Sequence, residues 1–95
     1  MANNVITIKE YCTYYEVEPN FLEELSEMGL LTIVKEKEES YIPIEEIPQL
    51  ESYSRMFYDL DINMAGIDAI HNLISRIKVL QKELTDLQNR INFYE

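Results

Sequence analysis

The sequence predicts a mainly α protein: a helix-turn-helix head with a small two-strand wing, followed by a long C-terminal coiled-coil helix. Three observations predict it. Two short apolar stripes of helical period flank a tight turn near Val17. Two β-branched and aromatic runs then flank the charged stretch Lys35-Glu36-Lys37-Glu38-Glu39. From Ile70 onward, apolar residues recur every seven positions. With 46% apolar residues and no low-complexity stretch, the 95-residue chain can close around one modest core.

Thr7-Ile8-Lys9-Glu10 fits a capping box, in which Thr7 caps a helix and Glu10 reaches back to the Thr7 N–H. A helix over 8–15 follows, burying Ile8, Tyr11 and Cys12. Val17 begins the turn. Pro19 suits the first position of the second helix, where its missing N–H costs nothing. Phe21, Leu22, Leu25 and Met28 form the buried stripe of that helix. Gly29 is expected as the left-handed residue that ends it. Leu31–Val34 and Ser40–Ile44 read as the strands of the wing, with residues 35–39 as its tip. Pro48 is tolerable only in a first turn, so a third helix starts between Ile44 and Ile47. Leu50, Tyr53, Phe57 and Leu60 are its expected apolar face. Asn63 is placed to cap the final helix.

In that last helix Ile70, Ile77, Leu84 and Ile91 occupy heptad a, and Leu73, Leu80, Leu87 and Tyr94 occupy d. No Gly or Pro interrupts residues 67–95, and a helix of that length extends ~44 Å. The head is too small to cover such a seam, so a homodimer is expected. Ile at a and Leu at d suit two strands. The uncharged e positions Ile74, Gln81 and Gln88 leave parallel and antiparallel pairing both open. The chain therefore divides into a head over 1–62 and a dimerisation helix over 63–95.

Charge is divided the same way. Residues 1–62 carry 14 Asp and Glu against 4 Lys and Arg, a net of −10, whereas residues 63–95 carry 4 of each. Such a head repels a phosphate backbone and attracts basic protein surfaces. Nucleic acid is thus an unfavoured partner. No apolar run approaches the ~20 residues needed to span a bilayer. The first ten residues have neither the basic nor the apolar region of an export signal, and Cys12 has no internal disulfide partner. A cytoplasmic chain with a reduced thiol is the expectation.

Catalysis has little to work with. His71 falls at heptad b and is expected to be solvated. Cys12 lies on the buried face of its helix as a core thiol, not a nucleophile. Asp59 and Asp61 are expected to cap and solvate a turn. The stretch Glu36–Glu39 lacks the glycine and ligand spacing of an EF-hand loop, and no glycine-rich phosphate loop is present. No enzyme activity, metal or cofactor is expected. The binding residues favoured instead are Glu23, Glu24 and Glu27 on the second helix, with Tyr14 and Tyr15 beside them. Their chemistry suits orientation and contact area against a basic partner.

The order of elements, together with Val17-Glu18-Pro19 and Gly29-Leu30-Leu31 at matching spacing, resembles MerR-type regulators. Within that group the chain is similar to the chaperone-modulator (CbpM-like) family. The matching pieces are Ile8-Lys9-Glu10-Tyr11-Cys12, the Glu-rich second helix, Leu60-Asp61-Ile62-Asn63-Met64-Ala65-Gly66-Ile67 and the Leu/Gln-rich terminal helix. MerR-type DNA readers carry Arg at the positions of Glu23 and Glu27 and a basic wing, and this chain departs from both. The resemblance implies a MerR-like winged head that binds the J-domain of a DnaJ-type co-chaperone and inhibits its co-chaperone activity. A MerR-type DNA-binding transcriptional regulator and a pure oligomerisation scaffold are the competing expectations.

Overall fold

The computed structural model describes residues 4–94, with the side chain of Tyr94 outside the described set. Strand β1 (Val5–Thr7) leads directly into helix α1 (Ile8–Tyr15). The junction is the capping box that the sequence predicts. Thr7 is extended, its hydroxyl accepts from the Glu10 N–H at 3.0 Å, and the Glu10 carboxylate accepts from the Thr7 N–H at 3.1 Å. Glu16 ends α1 in the left-handed region at φ 56°, and Val17 turns inward to the core.

Helix α2 (Pro19–Glu27) starts on Pro19 without a side-chain cap. Its entry is held by the Glu18 N–H, which donates to the Tyr58 hydroxyl at 3.0 Å. Phe21, Leu22 and Leu25 are buried and Met28 is half-buried, as the stripe predicts. At its end Gly29 has φ 79°. The Leu30 N–H donates to the Leu25 carbonyl at 2.9 Å and the Gly29 N–H to the Ser26 carbonyl at 3.0 Å, which is a Schellman closure.

The wing differs in register from the sequence expectation. Its strands are β2 (Val34–Glu36) and β3 (Glu39–Pro43), joined by the two residues Lys37-Glu38 with Lys37 at φ 57°. Leu31 is withdrawn into the core, and the Thr32 N–H donates to the Glu46 carboxylate at 2.9 Å. Those residues are therefore engaged elsewhere, and the charged Lys35 and Glu36 form the strand in their place. The sheet also gains β1, in the order β1-β3-β2, with Ile6 opposite Ile42. Three residues are too short to show a period in the sequence. β1 forms because β3 would otherwise present an unpaired edge.

A 3-10 turn (Ile44–Glu46) opens α3 (Ile47–Ser54), with Pro48 inside the first turn. The helix then widens into a π turn (Arg55–Asp59). This turn corrects the expected apolar face. Leu50 and Tyr53 are buried and Phe57 is half-buried, but Leu60 is 65% exposed. The wider i→i−5 turn, closed by the Leu60 N–H on the Arg55 carbonyl at 3.1 Å, rotates Leu60 off the stripe.

Asn63 caps α4 (Met64–Tyr94), with its side chain accepting from the Gly66 N–H at 2.8 Å. Ile67 is fully buried among Tyr11, Leu22, Leu25, Ile42 and Leu50, so the first turns of α4 belong to the head's core. From Asn72 to Phe93 every residue is exposed. The helix runs ~46 Å and accounts for the elongated outline of 59 × 36 × 21 Å.

Candidate partner-binding surface

Two surfaces of the head carry the residues favoured by the sequence. The first is the outer side of α2. Because Phe21, Leu22 and Leu25 face inward, Glu23 and Glu27 project outward and are exposed, while Glu24 is half-buried. Glu23 borders a groove of about 310 Å³ between the start of α1, the start of α2 and the wing. Lys9 and Lys35 face Glu23, Glu38 and Glu39 across it, so this groove is close to charge-balanced. The stronger acidity lies along α2 itself.

The second surface is at the end of α1. Tyr11, Tyr15 and Tyr14 stack in sequence, with ring centroids 4.3 Å and 4.9 Å apart. Tyr14 is 77% exposed and Tyr15 is 38% exposed. Tyr15 does not lean on α2. It lies beside Glu51 of α3, whose carboxylate takes the phenol's hydrogen bond and pushes its pKa up to about 12. Losing that proton would break the bond and set two anions side by side. Tyr11 shares a 3.4 Å contact with Ser54, and burial raises its pKa.

Tyr15, Glu16 and Glu51 meet Ser54, Arg55, Tyr58 and Asp59 around a cleft of about 550 Å³. Thus Tyr15 and Glu23 border different concavities. Glu51, Tyr58 and Asp59 are the residues that sequence reasoning did not attach to Tyr15. They lie more than thirty positions away, and only the packing of α1 against α3 brings them near.

His71 is not solvated as expected. It is half-buried and takes part in a hydrogen-bonded group at the junction of α3 and α4. The Gln49 amide donates to the Tyr53 hydroxyl at 2.9 Å, and Tyr53 contacts His71 Nδ1 at 2.9 Å. The b position faces inward there because the head still flanks the opening turns of α4. Burial pushes the Cys12 thiol up, away from the thiolate needed for nucleophilic work. Among the described residues, no group of three or more His, Cys, Asp or Glu is placed to hold a metal ion. No described helix is long and apolar enough to cross a membrane.

The heptad residues complete the inventory. Ile70 is half-buried against the head, whereas Leu73, Ile77, Leu80, Leu84, Leu87 and Ile91 are each more than half exposed. They form one apolar line down α4.

A winged helix-turn-helix head that runs without a break into a long helix is thus on view. A family model described as MerR HTH family regulatory protein matches residues 6–89, from β1 to the closing turns of α4. The chain belongs to that family. No curated protein and no solved structure matches it. Membership gives the chain a MerR-like regulatory fold, and the long helix is part of what the family pattern spans.

Proposed function

We propose that this MerR-family protein is a non-catalytic chaperone modulator, whose acidic head binds the J-domain of a DnaJ-type co-chaperone and inhibits it. The single observation that carries the reading is the sign of charge on α2. In a helix-turn-helix head this is the helix that would lie on DNA, and here its outward residues are Glu23 and Glu27. Phosphate neutralisation supplies most non-specific DNA affinity. A helix with this charge opposes that contribution and favours a basic protein surface instead. Together with the family resemblance, the charge supports a J-domain as the partner class. Covering a basic J-domain face would compete with its docking to the Hsp70 partner.

The active form is proposed to be a homodimer, with α4 of one protomer against α4 of its partner. The exposed apolar line from Leu73 to Ile91 supports it. Calorimetric titration of the protein with an isolated J-domain tests the function. Binding that weakens as salt rises, and weakens further in Glu23→Lys with Glu27→Lys, is the expected result. Absence of binding at low salt overturns the reading.

Family membership favours a second reading, a DNA-binding transcriptional regulator. Its support is the helix-turn-helix itself and the regulatory description of the family. Specific retardation of duplex DNA by the protein alone would establish it in place of the first.

A further inference from the structure

The cleft at Tyr15 is lined by the carboxylates of Glu16, Glu51 and Asp59, and the groove beside the wing by those of Glu23, Glu38 and Glu39. A further cleft, of about 370 Å³, lies between α3 with its π turn and residues 71–78 of α4. It breaks that pattern. Among the described residues no Asp or Glu lines it, in a chain with 18 of them against 8 Lys and Arg. Its polar lining is Gln49 and Ser52 of α3 with His71, Ser75 and Lys78 of α4.

The hydrogen bonds at this junction make the cleft a surface of donors. Gln49 Nε2 donates to the Tyr53 hydroxyl at 2.9 Å, so the phenol gives its own proton to His71 Nδ1, also at 2.9 Å. Gln49 Nε2 stands 3.5 Å from the same ring nitrogen, and it too can only donate. Nδ1 is therefore the acceptor, and the neutral ring carries its proton on Nε2. His71, Ser75 and Lys78 follow at i, i+4 and i+7 along one face of α4, so the Nε2–H is joined by a hydroxyl and an ammonium. On the opposite wall the Arg55 guanidinium donates to Ser52 Oγ at 3.2 Å, which leaves the serine's own proton to give. Glu46 and Asp68 are felt at the Tyr53 phenol, but neither lines the cleft.

We propose that this cleft binds a small organic carboxylate, its anionic end held by Lys78 and the His71 Nε2–H and its apolar body laid against Ile74 and Met56. At ~0.1 M salt, exposed charges more than about 10 Å apart are largely screened. The donors in the cleft, rather than the net charge of −10, therefore decide which ion enters. A bare inorganic anion would leave the apolar side chains of Ile74 and Met56 unused, and the cleft's volume is within the range of small-molecule sites. Because its walls come from α3 and α4, an occupant ties the head to the long helix. The cleft is separate from the outer side of α2, so it is independent of the partner that α2 binds.

The chain has one histidine, so one set of imidazole resonances reports on the cleft without ambiguity. The full chain is titrated with benzoate, benzamide and acetate at fixed pH and ionic strength. Benzoate should shift the His71 resonances and saturate in the millimolar range. Benzamide has the same ring without the charge and should leave them in place, and acetate has the charge without the ring and should act more weakly. Lys78→Gln, at an exposed position, should weaken the benzoate response several-fold while leaving the ligand-free His71 resonances where they are. Glu83→Gln, which alters charge on α4 outside the cleft, should bind benzoate as the parent does. Equal responses to benzamide or to acetate, an unchanged response in Lys78→Gln, or no saturable shift with benzoate each overturn the proposal.

Discussion

Tyr15 shows how far a single residue's behaviour depends on what folding sets beside it. Its phenol would ionise near pH 10 in a flexible chain. In the head, the phenol donates to the Glu51 carboxylate, which pushes its pKa up to about 12. The folded pKa lies above the unfolded one, so the contact is fully present below pH 10. It is lost as pH rises through the folded value. Spectrophotometric titration at the phenolate band should find Tyr15 among the late-ionising tyrosines, with Tyr11 and Tyr53 raised by burial, and Glu51→Gln should reduce that late fraction by returning Tyr15 toward 10. A titration unchanged by that substitution would show that the two side chains do not share a proton. Cys12 follows the same logic with a different cause. Burial raises its pKa, so its alkylation should be slower in the folded protein than in urea at one pH.

At the scale of elements, the helix ends were legible because their chemistry is local. Thr7 and Glu10, Pro19, Gly29 and Asn63 all act within a turn of where they stand in the sequence. The two glycines nonetheless differ in what they avoid. A Cβ at Gly29 would meet no atom within 4 Å, so Gly29→Ala should cost only the left-handed strain, about 1 kcal/mol. A Cβ at Gly66 would lie 2.7 Å from Ile62 Cγ2, inside the packing that starts α4. Gly66→Ala should therefore destabilise more than Gly29→Ala in urea unfolding, despite the helical preference for Ala. The reverse order would mean that Ile62 moves aside freely. The wing and the end of α3 were less legible, since their register was decided away from their own residues. Leu31 went to the core, and the π turn carried Leu60 out to the surface.

For the whole molecule, the decisive quantity is the apolar line on α4. Leu80 and Leu87 stand 62% and 54% exposed in one protomer, far beyond the reach of the head. If a second copy covers them, Leu80→Asp with Leu87→Asp buries two unpaired charges and should cost several kcal/mol, giving monomers. Sedimentation at tens of micromolar is the check, and a monomeric parent protein would defeat the dimer outright. The head's charge sets a second expectation at this scale. At ~0.1 M salt, where screening extends about 10 Å, the acidic head should produce no mobility shift of random duplex. A shift there would require that Lys9, Lys35 and Lys37 act together as a basic surface.

The division between sequence and tertiary structure follows the range of the forces involved. Periodicity, caps and charge depend on neighbours a few positions apart, and these alone determined a mainly α chain, the helix ends set by Thr7, Pro19, Gly29 and Asn63, the heptads and the acidity of α2. His71, Tyr15 and Leu60 show what they could not determine. The heptad position of His71 predicts solvent, yet the head covers that turn and Tyr53 bonds its ring. The sequence places Tyr15 beside the glutamates of α2, yet the carboxylate its phenol meets is Glu51, thirty-six residues onward. A side chain's partner across the core depends on how α1 crosses α3 and on where one π turn adds a residue. Neither is written in local pattern, because the energy that selects them comes from burying Tyr11, Leu50, Tyr53 and Ile67 together.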